Sequence, residues 1–272
     1  MVAVLGIPFD ANSSFLRGAA FAPSRIRAMA TDGSSNYFSE LGAEIKEQGA
    51  YLDKGDIPFP DIHPKAAFDL IYQKVRDILQ EGNPLLSLGG DHSVTYPIIK
   101  AYAEVYPDLH LLHLDAHGDL YDNFDDNPYS HASPFARILE NGYVKSLTQV
   151  GIRTLTTHQR EQAAKFGVRV IEMKDWSLDF IASLQAPLYI SLDVDVLDPA
   201  FAPGVSHHEP GGLSVRDVLN IIHQIKVPIV GADIVEYNPT RDWQYQTAMV
   251  GYKFFKELIG RMGNRGMGQI GG

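Results

Sequence analysis

The chain of 272 residues contains no cysteine, which excludes disulfide bridges and thiolate ligands. Any bound metal ion must therefore be held by nitrogen and oxygen atoms. Basic residues are also few: 23 lysines and arginines stand against 33 aspartates and glutamates, and the formal net charge is -10. Because binding of nucleic acid needs a basic face that releases counterions, we expect no nucleic-acid partner.

Long apolar runs are missing as well. No stretch approaches the ~20 residues that a membrane span requires, and the opening MVAVLGIPFD lacks a basic segment followed by a long apolar run. We therefore expect no membrane partner and a cytoplasmic location. The hydrophobic fraction of 45% and the charged fraction of 21% are typical of a globular protein with a sizeable core.

Short apolar segments rich in Val, Ile and Leu alternate with longer amphipathic segments. Strands are predicted at 2–7, 85–88, 109–114, 147–152, 168–171, 188–192 and 227–234, and helices at 66–80, 96–105, 134–141, 157–166, 215–225 and 247–261. This alternation predicts an α/β fold in three layers, α/β/α, with a mostly parallel sheet of about eight strands, and a closed barrel is the competing architecture. We expect a single domain at 1–262 and a flexible Gly-rich tail at 263–272.

The most informative segment is LLHLDAHGDLYDN, in which a predicted buried strand runs into Asp115, His117 and Asp119. Alternate positions of an extended chain face the same side, so these three side chains are expected to point together. Burying them is costly unless they are paired or bind a metal ion. For this segment taken alone, a polar turn that caps the next helix is the simpler alternative.

Two further strands end in the same way. YISLDVDVLDP places Asp193 and Asp195 directly after a buried strand, and PLLSLGGDHS delivers His92 beyond two glycines that permit a tight turn. The two aspartates repel each other, and a divalent cation would hold both ionised. Because sites in open α/β sheets gather beyond the carboxyl ends of the strands, we expect these residues to meet.

Together the three segments supply two histidines and four aspartates. This donor set suits two Mn²⁺ ions, with Ni²⁺, Co²⁺ and Fe²⁺ as alternatives, and such a pair can generate a nucleophile from water at neutral pH. Other polar residues nearby have simpler expected roles. Asp91 is expected to be a turn residue or a partner of a ligand, Asp198 a turn former, and His113 a buried histidine with satisfied hydrogen bonds.

The segments GGDHS, DAHGD and SLDVDVLDP occur in this order in the ureohydrolases, the family of arginases, agmatinases and guanidino-acid hydrolases. The chain resembles that family over nearly its whole length, and it is most like agmatinases and plant-type arginases. The resemblance implies that one metal ion is held by His92, Asp115, Asp119 and Asp193, and the other by His117, Asp115, Asp193 and Asp195. It also implies a homotrimer or a homohexamer.

The resemblance further implies that His131, in SHASPF, passes a proton to the leaving amine and that Glu236, in ADIVEYNP, pairs with the substrate guanidinium. The chemistry needs both roles, because the tetrahedral intermediate collapses only when the departing nitrogen is protonated, and a carboxylate can grip a planar guanidinium. Asp119 is the third expected catalytic residue. His207 is expected to contact the substrate tail, with a purely structural role in its loop as an equal alternative.

The guanidino substrate stays open at this point. Animal-type arginases carry an Asn shortly after the DAH motif and an Asp soon after the strand like LTQVGIRT, whereas here Tyr121 takes the first place and no Asp closely follows Arg153. We therefore expect an agmatinase, which converts agmatine to putrescine and urea. A plant-type arginase, which converts L-arginine to ornithine and urea, is a near-equal alternative, and another guanidino or formimino hydrolase is a third.

Two other classes of protein compete with the enzyme. A catalytically silent family member acting as a regulatory subunit would be expected to lack ligands, and none is missing. A deacetylase-like protein with a single zinc ion would not be expected to carry both His92 and the full DAHGD segment. Near the start of the chain, Asn12, Ser13 and Ser14 are expected either to line the pocket or to cap the helix near Ser24.

Overall fold

The structure is a computed structural model that describes residues 1–60 and 63–263. Its centre is a sheet of eight parallel strands in the order β2-β1-β3-β8-β7-β4-β5-β6. The strands are β1 (Val2–Gly6), β2 (Tyr51–Asp56), β3 (Leu85–Leu88), β4 (His110–Leu114), β5 (Ser146–Ile152), β6 (Arg169–Glu172), β7 (Leu188–Asp193) and β8 (Ile229–Val235). The predicted α/β fold with about eight strands is confirmed. The sheet is open between its edge strands β2 and β6, so the barrel is excluded.

Helices cover both faces of the sheet. Within the described residues they are α1 (Ala22–Ala28), α2 (Pro64–Gln80), α3 (Thr95–Val105), α4 (Pro134–Glu140), α5 (Thr157–Phe166), α6 (Val215–Gln224) and α7 (Gln246–Gly263). None of the described helices combines the length and the apolar character needed to cross a membrane. The described residues of the predicted domain thus form the expected three layers.

Alternation along the strands divides the core into two halves. On β1, Val2 and Val4 pack with residues of α1, α6 and α7, while Ala3 and Leu5 pack with residues of α2, α3, α4 and α5. All four side chains are buried. Since each strand is covered on both faces, central strands such as β3 and β7 are apolar runs interrupted by few polar residues.

Some elements differ from the prediction. The edge strand β2 was not predicted, because YLDKGD is partly exposed and carries three charges, and the short helix α1 was not predicted either. β8 begins at Ile229 and not at residue 227, since Pro228 has no N–H to donate to a neighbouring strand. Gly263 is the last residue of α7, and the remainder of the predicted flexible tail lies outside the described residues.

The strand order explains where polar residues gather. β3, β8, β7 and β4 are neighbours in the middle of the sheet, and all run in the same direction. Their carboxyl ends therefore lie side by side. The segments that follow these strands carry His92, Glu236, Asp195 and Asp115, respectively, so residues distant in sequence meet at one edge.

Candidate active site

Three carboxylates surround the imidazole of His92 at the edge of the sheet. Nδ1 of His92 lies 3.1 Å from Oδ2 of Asp115, 3.1 Å from Oδ2 of Asp119 and 3.2 Å from Oδ2 of Asp193. This nitrogen is buried, yet it makes no properly directed hydrogen bond with any described residue. A buried nitrogen aimed at three carboxylate oxygens is the arrangement that a metal ion between them would satisfy.

A hydrogen-bond chain fixes the tautomer of His92. The hydroxyl of Ser191 donates to Oδ1 of Asp233 at 2.7 Å, so its oxygen accepts from Nε2–H of His92 at 2.9 Å. Asp233 also accepts from the hydroxyls of Tyr189 and Thr95. With its proton on Nε2, His92 presents the lone pair of Nδ1 to the three carboxylates, as a metal ligand must.

The second imidazole of the cluster belongs to His117. Its Nδ1 lies 3.0 Å from Oδ2 of Asp195 and 3.4 Å from Oδ1 of Asp115. Asp115 therefore directs one oxygen toward each imidazole, which is the geometry of a bridging ligand. Asp193 directs Oδ2 toward His92, while its Oδ1 accepts the backbone N–H of Asp195 at 2.8 Å. The six predicted ligands are all brought together here.

The charges of this cluster favour a bound cation. Burial, followed by repulsion from Asp195 and Asp115, raises the pKa of Asp193 well above its ordinary value. Burial and repulsion from Asp115 raise the pKa of Asp195 to about 6. Burial opposes the charging of His92, but the nearby carboxylates of Asp115, Asp119 and Asp193 raise its pKa well above the usual range. Divalent cations would relieve this repulsion, and the nitrogen and oxygen donors suit Mn²⁺.

His113 supports Asp115 from within β4. Its Nε2 lies 2.6 Å from Oδ2 of Asp115, and the amide nitrogen of Gln149 donates to its Nδ1 at 3.0 Å. Because Nδ1 accepts a hydrogen bond, Nε2 carries the proton and donates it to the carboxylate. His113 lies within reach of the same cluster as His92, Asp115 and Asp119, but both of its nitrogens are occupied. It has the expected character of a satisfied buried histidine.

The loops bring the ligands together in a way that simple alternation does not describe. β4 ends at Leu114, and the chain then turns, with Asp119 in the left-handed region at φ 47. Asp193 is the last residue of β7, and Asp195 lies in a short 3₁₀ turn. The extended backbone assumed for residues 115–119 is therefore wrong, although the three side chains do converge as expected. Left-handed backbone at a non-glycine residue is strained and is typical of functional sites.

Glu236 and His131 form a hydrogen-bonded pair beside the cluster. Oε1 of Glu236 accepts from Nδ1 of His131 at 2.7 Å and from the backbone N–H of His92 at 2.8 Å. Nε2 of His131 contacts the hydroxyl of Ser14 at 2.8 Å. Burial lowers the pKa of His131, but the nearby Glu236 carboxylate outweighs this and brings it to about 9. The backbone N–H of Ser14 also points at Nε2 from 3.2 Å and opposes the charged form, but the Glu236 carboxylate outweighs it, so the ring is cationic at neutral pH.

The carboxylate of Glu236 has one oxygen that is still able to accept a hydrogen bond. Its backbone is left-handed, at φ 62, and its N–H donates to the carbonyl of Gly90 at 2.8 Å. A Cβ on Gly90 would lie 1.8 Å from the carbonyl oxygen of Phe9, so only glycine allows this close packing of the loops. Since Oε1 already accepts two hydrogen bonds, Oε2 is the oxygen that remains for a substrate.

A cavity of about 200 Å³ opens beside these residues. Its lining includes residues of the predicted metal cluster, the His131–Glu236 pair and a group of uncharged residues. The uncharged lining residues are Ser14, Tyr121, Phe124, Ala132, Thr154, Thr156 and Gln159. Ser14 thus lines the pocket, whereas the backbone N–H of Asn12 donates to Asp91. Neither residue caps α1.

Other polar residues occupy supporting positions. Asp91 accepts hydrogen bonds from the backbone N–H groups of Asn12 and Ser93, as a turn residue does. Asp198 accepts from the N–H groups of Ala200 and Gly211, and these bonds lower its pKa. These two aspartates therefore have the turn and supporting roles expected of them.

His207 lines the cavity with its ring 5.4 Å from that of His131 and 5.9 Å from that of His117. Its Nε2 is buried without a hydrogen-bond partner among the described residues. Burial, and then the charge of His131, lowers its pKa, so the ring is neutral. His208 instead contacts the carbonyl of Pro203 and does not line the cavity.

Several supporting residues were not identified from the sequence: Ser191, Asp233, Gln149 and Gln159. Asp233 could have been identified from the sequence, because it is the one acidic residue inside the apolar segment IVGADIV of β8. A charge within a fully buried strand requires a specific partner. The other three residues are uncharged and ordinary in their segments, so only the contacts between strands and loops identify them.

An open parallel α/β sheet with two imidazoles and four carboxylates at its edge, beside a protonated histidine and a cavity, defines a metal-dependent hydrolase. Comparison with known proteins makes this specific: the model of the Arginase family matches residues 1–260. The chain belongs to the arginase family, and it is a hydrolase of guanidino C–N bonds.

Individual relatives agree with this assignment. The chain is similar to "Arginase 1, mitochondrial" of Arabidopsis thaliana, 48% identical over 95% of this chain and 80% of that protein. It is also similar to an agmatinase of Bacillus anthracis, 34% identical over 95% of this chain and 90% of that protein. The solved structure of an arginase from Medicago truncatula matches with a TM-score of 0.91 and 42% identity, covering 96% of this chain and 87% of that one.

These relatives correct one expectation. A cytoplasmic location was predicted from the opening residues, but the similar Arabidopsis thaliana arginase is named as mitochondrial. The prediction is therefore wrong on this comparison. It rested on the absence of a basic segment followed by a long apolar run, and that pattern marks secretion and does not distinguish the cytoplasm from an organelle.

Proposed function

We propose that this enzyme is an arginase that hydrolyses L-arginine to L-ornithine and urea and that it uses two Mn²⁺ ions. Two observations support L-arginine over the agmatine that the sequence favoured. The first is the greater similarity to the plant arginase, at 48% identity, than to the bacterial agmatinase, at 34%. The second, which carries the proposal, is the chemistry of the uncharged part of the cavity lining.

This uncharged lining includes the polar residues Thr154, Thr156 and Gln159. Agmatine ends in an ammonium group, which a carboxylate in the wall would bind best. L-Arginine ends in an amino group and a carboxylate together, whose charges cancel and which suit neutral hydrogen-bonding groups. Oε1 of Gln159 already accepts the backbone N–H of Thr156, so its Nε2 is the group left to donate to a carboxylate.

The residues of the cluster would hold the two ions. His92, Asp115, Asp119 and Asp193 would bind one ion and His117, Asp115, Asp193 and Asp195 the other, which matches the unpartnered Nδ1 of His92. When bound, such a pair lowers the pKa of water and so supplies a nucleophile at neutral pH.

The remaining steps fall to Glu236 and His131. Oε2 of Glu236 would accept a hydrogen bond from the substrate guanidinium and hold its carbon toward the cluster. His131, which is protonated at neutral pH, would donate its proton to the departing nitrogen, and Ser14 and Glu236 orient its ring for that transfer. The neutral ring of His207 would contact the aliphatic part of the substrate.

The proton on His131 sets an expected pH limit. Because the pKa of His131 is raised to about 9, the acid form is present at neutral pH and is lost as the pH rises through about 9. We expect kcat to fall along that alkaline limb. His131→Asn should lower kcat roughly 10²- to 10⁴-fold and remove the limb. A variant that keeps the same alkaline limb would contradict this role.

Urea release tests the substrate directly. The Mn²⁺-loaded enzyme is assayed with L-arginine, agmatine and 4-guanidinobutyrate, and with formiminoglutamate by formamide detection. We expect kcat/KM for L-arginine to exceed that for agmatine at least about tenfold, a difference of ~1.4 kcal/mol. A preference for agmatine would overturn the choice of substrate, and no hydrolysis of any compound would favour the silent regulatory subunit.

Light scattering would test the expected homotrimer or homohexamer.

A further inference from the structure

The side chain of Arg153 contacts the backbone of the turn that carries Asp195. We infer that Arg153 is a positioning residue that fixes the half of the cluster formed by His117 and Asp195. The inference rests on the metal pair proposed above. Arg153 does not line the cavity, so contact with the substrate is not part of this role.

The guanidinium of Arg153 donates only to backbone carbonyls. The acceptors are Asp195 at 2.7 Å, Glu209 at 2.8 Å, Gly151 at 3.1 Å, Val196 at 3.2 Å and Leu197 at 3.2 Å. It forms no ion pair with a carboxylate among the described residues. A partly buried cation that donates to five carbonyls, and not to a carboxylate, fixes the path of the backbone around it.

These contacts join three loops that carry site residues. The backbone N–H of Arg153 donates to the carbonyl of Ala116 at 2.9 Å, between Asp115 and His117. Its side chain holds the turn that contains Asp195 and, through Glu209, the loop that contains His207. Arg153, which directly follows β5, thus joins the two loops that supply His117 and Asp195. The same loops also contact each other directly, because the backbone N–H of Ala116 donates to Oδ1 of Asp195 at 3.1 Å. His92 lies on the far side of the cluster and has its own support in Ser191.

The surroundings are built for a planar guanidinium. A Cβ on Gly212 would lie 2.6 Å from the backbone nitrogen of Asp198 and 2.7 Å from Nη2 of Arg153, so the glycine leaves room for both this backbone and the guanidinium. A lysine at position 153 would keep the charge, but its single ammonium cannot reach carbonyls arranged around a plane. Arg153→Lys therefore removes the geometry while it retains the charge.

The test is a Mn²⁺ titration of the metal-free full chain, followed by equilibrium dialysis and electron paramagnetic resonance. We expect Arg153→Lys to weaken the binding of one of the two ions by about 10- to 100-fold, the range typical for residues that orient ligands. The spectrum should change from that of a coupled pair to that of an isolated ion. Arg261→Lys is the matched control, because Arg261 also donates to carbonyls, those of Ile222 and Ile225, far from the cluster.

Binding of both ions by Arg153→Lys with the affinity of the parent chain would overturn the inference. If the parent chain itself binds fewer than two ions, the proposed metal pair fails first, so the two failures are distinguishable. Gly212→Ala provides a second variant should Arg153→Lys not fold. It keeps Arg153 but crowds its guanidinium together with the backbone of Leu197 and Asp198 beside it, and the same selective loss of one ion is expected. Gly263→Ala, which has open space around it, is its control.

Discussion

The two imidazoles of the proposed metal site, those of His92 and His117, differ in how the fold holds them. The side chain of His92 is 1% exposed, and its ring is supported by Ser191 and Asp233 on neighbouring central strands. The side chain of His117 is 25% exposed, lines the cavity and lies in a loop. A ligand supported by strands keeps its position without the metal, whereas a ligand on a partly exposed loop depends on its surroundings. We therefore expect the ion at His117 to be the more weakly bound of the two.

The largest effect is expected from removal of Asp193, which is proposed to bind both metal ions. Asp193→Ala should lose both ions and lower kcat/KM by roughly a thousandfold or more, because the nucleophile depends on the pair. Metal analysis and urea release measure the two losses together. Asp179→Ala, an exposed aspartate remote from the cluster, is the control. Full activity of Asp193→Ala would remove the two-metal mechanism.

The next prediction compares the support of His92 with that of His117 in the metal-free protein. His92→Ala should lower the free energy of unfolding by about 1–3 kcal/mol or more, because it leaves a cavity and removes the partner of a buried hydroxyl chain. His117→Ala removes a partly exposed ring and should lower it by less. Denaturant unfolding of both variants without metal gives the comparison. Equal losses would mean that the two imidazoles are supported alike.

A smaller effect is expected at Ser191, which holds the tautomer of His92. Ser191→Ala should weaken the more tightly bound ion by about 10- to 100-fold and reduce the difference between the two affinities. Ser87→Ala is a matched control, because Ser87 is also buried on a central strand but its hydroxyl has no partner among the described residues. If Ser191→Ala bound this metal ion with unchanged affinity, the hydrogen bonds from His92 through Ser191 to Asp233 would not position His92.

The smallest effect is expected on the preference between L-arginine and agmatine, which depends on the residues that contact the substrate tail. Gln159→Glu places a carboxylate in the uncharged wall and should shift the ratio of kcat/KM toward agmatine by about 1–2 kcal/mol, the scale of one charge-assisted hydrogen bond. Gln224→Glu, at an exposed position of α6, is the control. A ratio that does not move would exclude Gln159 from binding the tail.

The same comparison indicates what the sequence could predict. The buried strands and the residues directly beyond them, including His92, Asp115 and Asp193, were identified because hydrophobic runs that end in ionisable residues are a local pattern. Supports that act across the sheet, such as Asp233 beneath His92, depend on the strand order. That order follows from packing and not from any one segment, and it was not predicted.

The geometry of the loops could not be predicted from the sequence either. Arg153 was noted only for the absence of an Asp after it, and its contacts with five carbonyls could not be inferred, since carbonyls are present at every position of a sequence. The left-handed backbone at Asp119 and Glu236 likewise results from the loops around them. The edge strand β2 was missed because exposure on the sheet's edge permits charged residues in a strand.

The most direct test of the account is a Mn²⁺ titration of the metal-free parent chain in which bound metal and urea release from L-arginine are followed together. We predict two ions per chain with unequal affinities, and urea release that appears only as the second, weaker ion binds. One ion per chain with full activity would contradict the account.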